Sequence, residues 1–204
     1  MSELSGARRM PRRLLLSWPA PLKDVKTAIR FLRANAKTYN IDPNRIGIWG
    51  SFAGAHLSGL VATTADAKEF ENDKWPGQSS AVLAAVLWYV PTDLSDAPNN
   101  ALYIENEFLG FSVSDPANAE KLKKANPITY VSGKTPPIML VHGTEDKTVP
   151  IRSSEHFYDA LVAAKVPATF LRIEGAGHSF GQVSSVPEVM AAVLAFFDRN
   201  LKAK

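Results

Sequence analysis

The chain has 204 residues, of which 46% are hydrophobic and 21% are charged, a composition typical of a single folded domain. It contains no cysteine, which excludes disulfides and thiolate metal sites. No apolar run approaches the ~18 residues of a membrane-spanning helix. The formal net charge of +3 comes from four arginines and one glutamate in residues 1–21. We therefore expect a neutral folded body, no membrane span and no nucleic-acid partner.

The N-terminal arm begins like an export signal, with arginines followed by the apolar stretch Leu14–Leu16. That stretch is shorter than the ~7–15 apolar residues that such a signal contains. We expect no signal peptide, which makes the cytoplasm the default location. We treat residues 1–21 as a basic arm and residues 22–204 as the folded domain.

After residue 21 the hydrophobic pattern alternates between helical periodicity and short continuous apolar runs, which predicts an α/β domain. In chain order, the predicted elements are a helix near 22–39, a strand at 45–49, a helix at 53–62, a strand at 82–90 and a polar connection at 91–135. They are followed by a strand at 138–142, a helix at 153–165, a strand at 169–173 and a helix starting near 186. We expect a mostly parallel sheet flanked by helices. Ligands bind at the carboxyl ends of the strands in such sheets.

Two of the predicted helices have a recognisable apolar face. In the first helix, the apolar face is formed by Val25, Ile29, Leu32 and Ala36. The last helix starts with a capping box, Ser185 with Glu188, and its buried stripe is formed by Val189, Val193, Phe196 and Phe197. These faces predict which sides of the helices pack against the sheet.

A sharp strand-to-helix turn is predicted at Gly50-Ser51-Phe52-Ala53-Gly54. The pattern Gly-x-Ser-x-Gly at such a turn presents a nucleophilic serine, and the N–H that follows it faces the developing oxyanion. Here Phe52 occupies the serine position and Ala53 supplies the following N–H. A phenyl ring has no lone pair for attack on an acyl carbon. The turn therefore predicts where a nucleophile would stand, but Phe52 cannot act as one.

Two other serines are weaker candidates for the nucleophile. Ser51 is adjacent to Phe52, but neighbouring side chains at a sharp turn point in very different directions. Ser179 lies in a second match to Gly-x-Ser-x-Gly, Gly177 to Gly181, but the next predicted helix starts several residues later. We prefer neither to position 52.

The remaining titratable residues are expected to be structural or solvated. We expect His142 to be buried at a strand end, His56 and His156 to lie on helices, and Glu145 to be solvated. No pair of histidines has metal-ligand spacing. The acidic stretch lacks the ligand spacing of a calcium loop and predicts a solvated face; it contains Asp66, Glu69, Glu71 and Asp73. We expect no metal site.

Five segments, in this order, carry a resemblance to a known family. They are Ile46–Leu57, Pro91-Thr92-Asp93-Leu94, Asn126–Val131, Val141–Pro150 with His-Gly-Thr-Glu-Asp, and Glu174–Phe180 with Gly-Ala-Gly-His. Over about 22–201 the chain resembles the α/β-hydrolase superfamily, in particular the esterase branch with carboxylesterases, feruloyl esterases and acetyl-xylan esterases.

This resemblance implies a triad in the chain order Ser, Asp, His. Its acid corresponds to Asp146, its base to His178, its nucleophile position to Phe52 and an oxyanion donor to the N–H of Ala53. It also implies a small acyl ester as substrate and no soluble cofactor. With Phe52 in place of the serine, we expect impaired hydrolysis; the alternatives are a catalytically silent ligand-binding protein and a gene fragment.

In the family, several strands and an oxyanion loop precede the helix that starts here near Leu22. The resemblance therefore implies a truncated α/β-hydrolase fold, without the loop that supplies the second oxyanion donor. The strand at 45–49 would then have an open edge, and open edges invite pairing. We expect that edge either to be covered by Arg12–Trp18 or to join two chains into a homo-oligomer.

Overall fold

The computed structural model describes residues 17–96, 104–180 and 187–202, without the side chains of residues 106 and 107. The helices of the described ranges are α1 (Ala20–Ala34), α2 (Ala36–Tyr39), α3 (Ala53–Thr63), α4 (Ala119–Lys124), α5 (Arg152–Ala163) and α6 (Pro187–Leu201). The strands are β1 (Gly47–Ser51), β2 (Ala84–Trp88), β3 (Ile138–Gly143) and β4 (Ala168–Ile173). A π-helix (Ile104–Leu109) lies between β2 and α4.

The four strands form one parallel sheet in the order β1-β2-β3-β4. Every residue of the two central strands, β2 and β3, is buried, as expected when helices cover both faces of a parallel sheet. The register pairs Ser51 with Trp88 and Trp88 with Val141. The predicted α/β class and parallel sheet are confirmed, and the carboxyl ends of β1, β2 and β3 lie side by side.

Helices pack on both faces of the sheet. One core joins α1, α3 and α5 to the sheet, and its fully buried side chains include Leu22, Leu60, Leu87, Leu140 and Phe157. The core of the other face forms under α6, where the predicted residues Val189, Val193 and Phe196 are buried and Phe197 is partly buried. The predicted capping box includes Ser185, which lies outside the described residues.

The first predicted helix is wrong in two respects. It is interrupted at Asn35, whose backbone N–H and side-chain amide both donate to the carbonyl of Phe31 and end α1 there. Of its predicted apolar face, Val25, Ile29 and Ala36 are buried or partly buried as expected, but Leu32 is 37% exposed. The buried side of the helix also includes Lys26 and Arg30. Apolar periodicity alone could not identify that face.

Glu71 is the reason that two cations are buried on α1. Its carboxylate lies 2.9 Å from Lys26 Nζ and also pairs with the guanidinium of Arg30. Burial of an unpaired cation is costly, so this partner is required. Burial of Lys26, together with repulsion from Arg30, lowers the pKa of its ammonium to about 8. The prediction of a solvated acidic face is therefore wrong for Glu71; Asp66, Glu69 and Asp73 are exposed.

The boundaries of two strands also differ from prediction. The strand expected at 45–49 starts at Gly47, because Asp42 accepts hydrogen bonds from the N–H of Asn44 and from Arg45 and so forms a turn. The strand expected at 82–90 ends at Trp88, since Tyr89 has φ 38°. The connection over 91–135 contains α4 and several short helical turns, with no strand in its described part.

Trp18 does not pair with the edge strand β1. Its N–H donates to the carbonyl of Phe108 at 2.7 Å, and its ring packs on Phe70 and Phe108. The idea that a strand ending at Trp18 covers β1 is thus wrong for Trp18 itself; positions 12–16 lie outside the described residues. No helix of the described ranges is long and apolar enough to span a membrane.

Candidate active site

The turn after β1 has the backbone of a nucleophile elbow. Phe52 has φ 50° and ψ −117°, and its N–H donates to the carbonyl of Trp88 at 3.0 Å. A Cβ on Gly50 would collide with the backbone of Gly54, so the first glycine of the pattern is required by close approach. Ala53 is the first residue of α3, where a backbone N–H has no partner within the helix.

Asp146 follows β3 and is held by its own turn. One carboxylate oxygen accepts the N–H groups of Thr148 and Val149 at 2.8 and 2.9 Å. The other oxygen accepts the Nδ1–H of His178 at 2.8 Å. The side chain of Asp146 is fully buried, while that of His178 is 23% exposed. The structure therefore brings the predicted acid and base together.

The carboxyl of Asp146 is ionised at neutral pH despite its burial. Burial raises its pKa, but hydrogen bonds from His142, the Val149 N–H, His178 and the Thr148 N–H together outweigh it and lower the pKa to about 2. An ionised carboxylate can only accept hydrogen bonds. The proton between Asp146 and His178 therefore resides on Nδ1, so in the uncharged form of the ring Nε2 carries the lone pair.

His142 supports the same carboxylate from behind. Its Nε2 lies 2.9 Å from the carbonyl of Val149 and 3.3 Å from Asp146 Oδ2. Because both are acceptors, Nε2 carries the proton, and Nδ1 accepts from the Ser154 hydroxyl at 2.7 Å. His142 and Ser154 are fully buried. The predicted structural role of His142 thus includes fixing Asp146.

The imidazole of His178 is enclosed by two aromatic rings. The centroid of the Phe52 ring lies 5.0 Å from the centroid of the imidazole, at an interplanar angle of 89°. The centroid of the Tyr89 ring lies 4.6 Å from it, at 61°. The loop that carries His178 can approach because Gly143, at the end of β3, has no side chain; a Cβ there would collide with the carbonyl of Ala176. The rings of Phe52 and Tyr89 and the imidazole of His178 come from three different segments of the chain.

Sequence reasoning missed Tyr89. It lies at the carboxyl end of β2, and ligands bind at the carboxyl ends of the strands in a parallel sheet. That position is the one feature of the sequence that indicates Tyr89 as a site residue. Its positive φ turns the chain sharply after the strand, and its ring is buried against both His178 and Phe180. The contact depends on that turn, which no spacing in the sequence specifies.

The alternative nucleophiles are placed differently from Phe52. Ser51 is the last residue of β1 and is exposed. Ser179 is also exposed, with φ 63°, in a single 3₁₀ turn rather than at a strand-to-helix junction.

His56, His156 and Glu145 lie where the sequence predicts them. His156 and Glu145 are exposed. His56 is buried in α3, where it contacts the carbonyl of Pro91 at 2.7 Å, and burial lowers the pKa of its imidazole to about 4. Within the described ranges, no three His, Asp or Glu side chains cluster in a way that could hold a metal ion.

The BD-FAE family model matches residues 14–161, which is more than half of the chain. The chain belongs to the BD-FAE family. The matched range includes Phe52 and Asp146 and ends before His178. The predicted resemblance to α/β-hydrolase esterases is confirmed by this match together with the relatives described next.

Esterase LipC of Mycobacterium tuberculosis is 32% identical to this BD-FAE chain over 167 residues, which are 80% of this chain and 41% of LipC. Among solved structures, a truncated form of a carbohydrate esterase from gut microbiota has a TM-score of 0.82 at 32% identity, covering 90% of this chain and 69% of that chain. An acetyl ester-xyloside bifunctional hydrolase from Caldicellulosiruptor lactoaceticus has a TM-score of 0.71 at 33% identity, covering 89% and 65%. The chain spans only 41–43% of the length of the first three curated relatives.

Proposed function

We propose that residues 22–204 form an ester-hydrolase domain in which the acid and base are in place but the nucleophile position holds Phe52. The observation that carries this proposal is the elbow backbone of Phe52, with its ring 5.0 Å from an imidazole that is hydrogen-bonded to Asp146. Asp146 is the acid, His178 the base, and the N–H of Ala53 an oxyanion donor.

The proposed deficit is specific to one chemical step. In a serine hydrolase the base takes the hydroxyl proton while the oxygen attacks the acyl carbon, which forms an acyl-enzyme. The Phe52 ring has neither the oxygen nor the proton, so the serine pathway is closed. Loss of the nucleophile leaves a residual acceleration of only ~10³–10⁴ over water in such enzymes. The domain is therefore a strongly impaired ester hydrolase.

The proposed substrate class is a small acyl ester. The relatives named above are called an esterase, a carbohydrate esterase and an acetyl ester-xyloside hydrolase, which favours acetyl groups on carbohydrate. The site needs no soluble cofactor and no metal, since its chemistry rests on an imidazole and a carboxylate. We propose neither a nucleic-acid nor a membrane partner.

A second candidate function is ligand binding without turnover. It is favoured by the two rings of Phe52 and Tyr89 beside His178, because aromatic surfaces hold the apolar part of an ester. A gene fragment without independent function is a further alternative, and it predicts a poorly stable protein. Thermal shifts with aromatic esters separate these two alternatives.

The test restores the missing oxygen. An unactivated alkyl acetate is titrated in a pH-stat with the native chain, Phe52→Ser and Phe52→Ala, which removes the ring without adding a hydroxyl. Nucleophile loss costs up to ~10⁶-fold in kcat. We therefore expect Phe52→Ser to exceed Phe52→Ala by several orders of magnitude. A native rate equal to that of Phe52→Ser would contradict the proposal.

A further inference from the structure

One nitrogen of the site has no hydrogen-bond partner among the residues that the structure describes. Nδ1 of His178 is bound to Asp146, and within the described residues no hydrogen bond reaches Nε2. In a serine hydrolase Nε2 faces the nucleophilic hydroxyl, but here Phe52 stands in that place. The side chain of His178 is 23% exposed, whereas the carboxylate at its Nδ1 is fully buried.

The surroundings of His178 also suit a nucleophile. The ionised carboxylate of Asp146 fixes the tautomer and increases the electron density of the ring, and His142 and Ser154 hold that carboxylate in place. The rings of Phe52 and Tyr89 restrict the orientation of the imidazole. Histidine is among the side chains that form covalent intermediates in enzymes.

We propose that His178 itself is the nucleophile of this chain and hydrolyses activated aryl esters through an acyl-imidazole. The inference rests on the proposed function, because it requires the Asp–His pair to have no hydroxyl in front of it. To the proposed function it adds a weak esterase activity with a different mechanism, in which Nε2 of His178 attacks in place of the missing serine oxygen.

The first step exchanges one bond at the acyl carbon. The Nε2 lone pair forms a bond to that carbon, the carbon–oxygen bond to the aryl group breaks, and the aryloxide leaves with the electron pair. The acylated ring carries a positive charge, which the Asp146 carboxylate stabilises at Nδ1–H.

The second step consumes water. Its oxygen bonds to the acyl carbon, the carbon–nitrogen bond breaks, and the electron pair returns to Nε2. The two protons of the water pass to solvent, and the acid is released as a carboxylate. No oxidant, metal or second substrate is needed.

This mechanism restricts the substrate. An imidazole expels a stable aryloxide readily, but it is itself a better leaving group than an alkoxide, so the tetrahedral adduct of an alkyl ester returns to reactants. The expected substrates are therefore aryl esters of small acids, and sugar acetates are not expected to react by this route.

The test measures p-nitrophenolate release from p-nitrophenyl acetate by the native chain, His178→Ala, Asp146→Asn and His156→Ala. His156 is the matched control because it is an exposed histidine on α5. We expect His178→Ala and Asp146→Asn to lose the rate above the protein-free background and His156→Ala to keep it. Equal rates for the native chain and folded His178→Ala would overturn the inference.

A second measurement uses only the native chain, so it does not depend on how the variants fold. Nucleophilic attack transfers no proton in its first step, so p-nitrophenolate release in a single turnover, with the protein in excess over the ester, should be nearly as fast in D₂O as in H₂O. A clearly slower rate in D₂O would instead indicate that His178 activates water as a general base and would overturn the inference. Failure of either test leaves the proposed function intact, because that function is tested separately by the turnover of an alkyl acetate.

Discussion

Replacement of Phe52 by glycine should give a more stable protein than replacement by alanine. Both variants remove the same ring and its contacts, so they differ only in backbone preference. At φ 50° and ψ −117°, a residue with a Cβ is strained by ~1–3 kcal/mol, and glycine removes that strain. Glycine also loses ~0.5–1 kcal/mol through the entropy of the unfolded chain. The expected net advantage of glycine is about 1 kcal/mol.

The assay is thermal and urea unfolding of the two variants at neutral pH. In a domain of this size, 1 kcal/mol corresponds to a difference of about 2–4 °C in Tm. The matched control is Ala195→Gly, at an exposed position within α6, where glycine should cost about 1 kcal/mol. If Phe52→Gly is no more stable than Phe52→Ala, position 52 has no strained elbow and the assigned nucleophile position is wrong.

Two further predictions concern the acid and its approach to the base. The pKa of Asp146 is lowered from 3.8 to about 2 by hydrogen bonds that outweigh burial, so its contribution of about 2 kcal/mol to the free energy of unfolding is present above pH 4 and is lost as the pH falls toward 2. Urea unfolding at a series of pH values should show this loss in the native chain and a flatter profile in Asp146→Asn. Gly143→Ala should cost about 1–3 kcal/mol through collision with the His178 loop, whereas Gly54→Ala, where a Cβ meets nothing within 4 Å, should not destabilise; equal stability of the two variants would contradict this.

Much of the fold can be predicted from the sequence because its signals are local. Two buried strands, β2 and β3, appear as continuous apolar runs, and the parallel order follows from the helices between strands. The pair of Asp146 and His178 follows from the family resemblance, because each lies in a short family motif directly after a strand. The elbow can be located because Gly50 must allow close approach of the next helix.

The features that escape prediction depend on contacts between distant segments. The buried face of α1 contains two cations because Glu71, some forty residues later, pairs with Lys26 and Arg30. Because Glu71 lies so far along the chain, the sequence of the helix and its neighbours does not indicate that its cations are paired. The position of Tyr89 beside His178 likewise depends on a turn with positive φ, and only the packed structure determines that geometry.

Covalent labelling with a fluorophosphonate probe tests the nucleophile assignment most directly. The probe, followed by mass spectrometry, is applied to the native chain, to Phe52→Ser and to Phe52→Ser combined with His178→Ala. We expect no labelled serine, threonine or tyrosine in the native chain, labelling at position 52 in Phe52→Ser, and loss of that label in the double variant. A hydroxyl of the native chain that is labelled only when His178 is present would contradict the assignment of Phe52 to the nucleophile position.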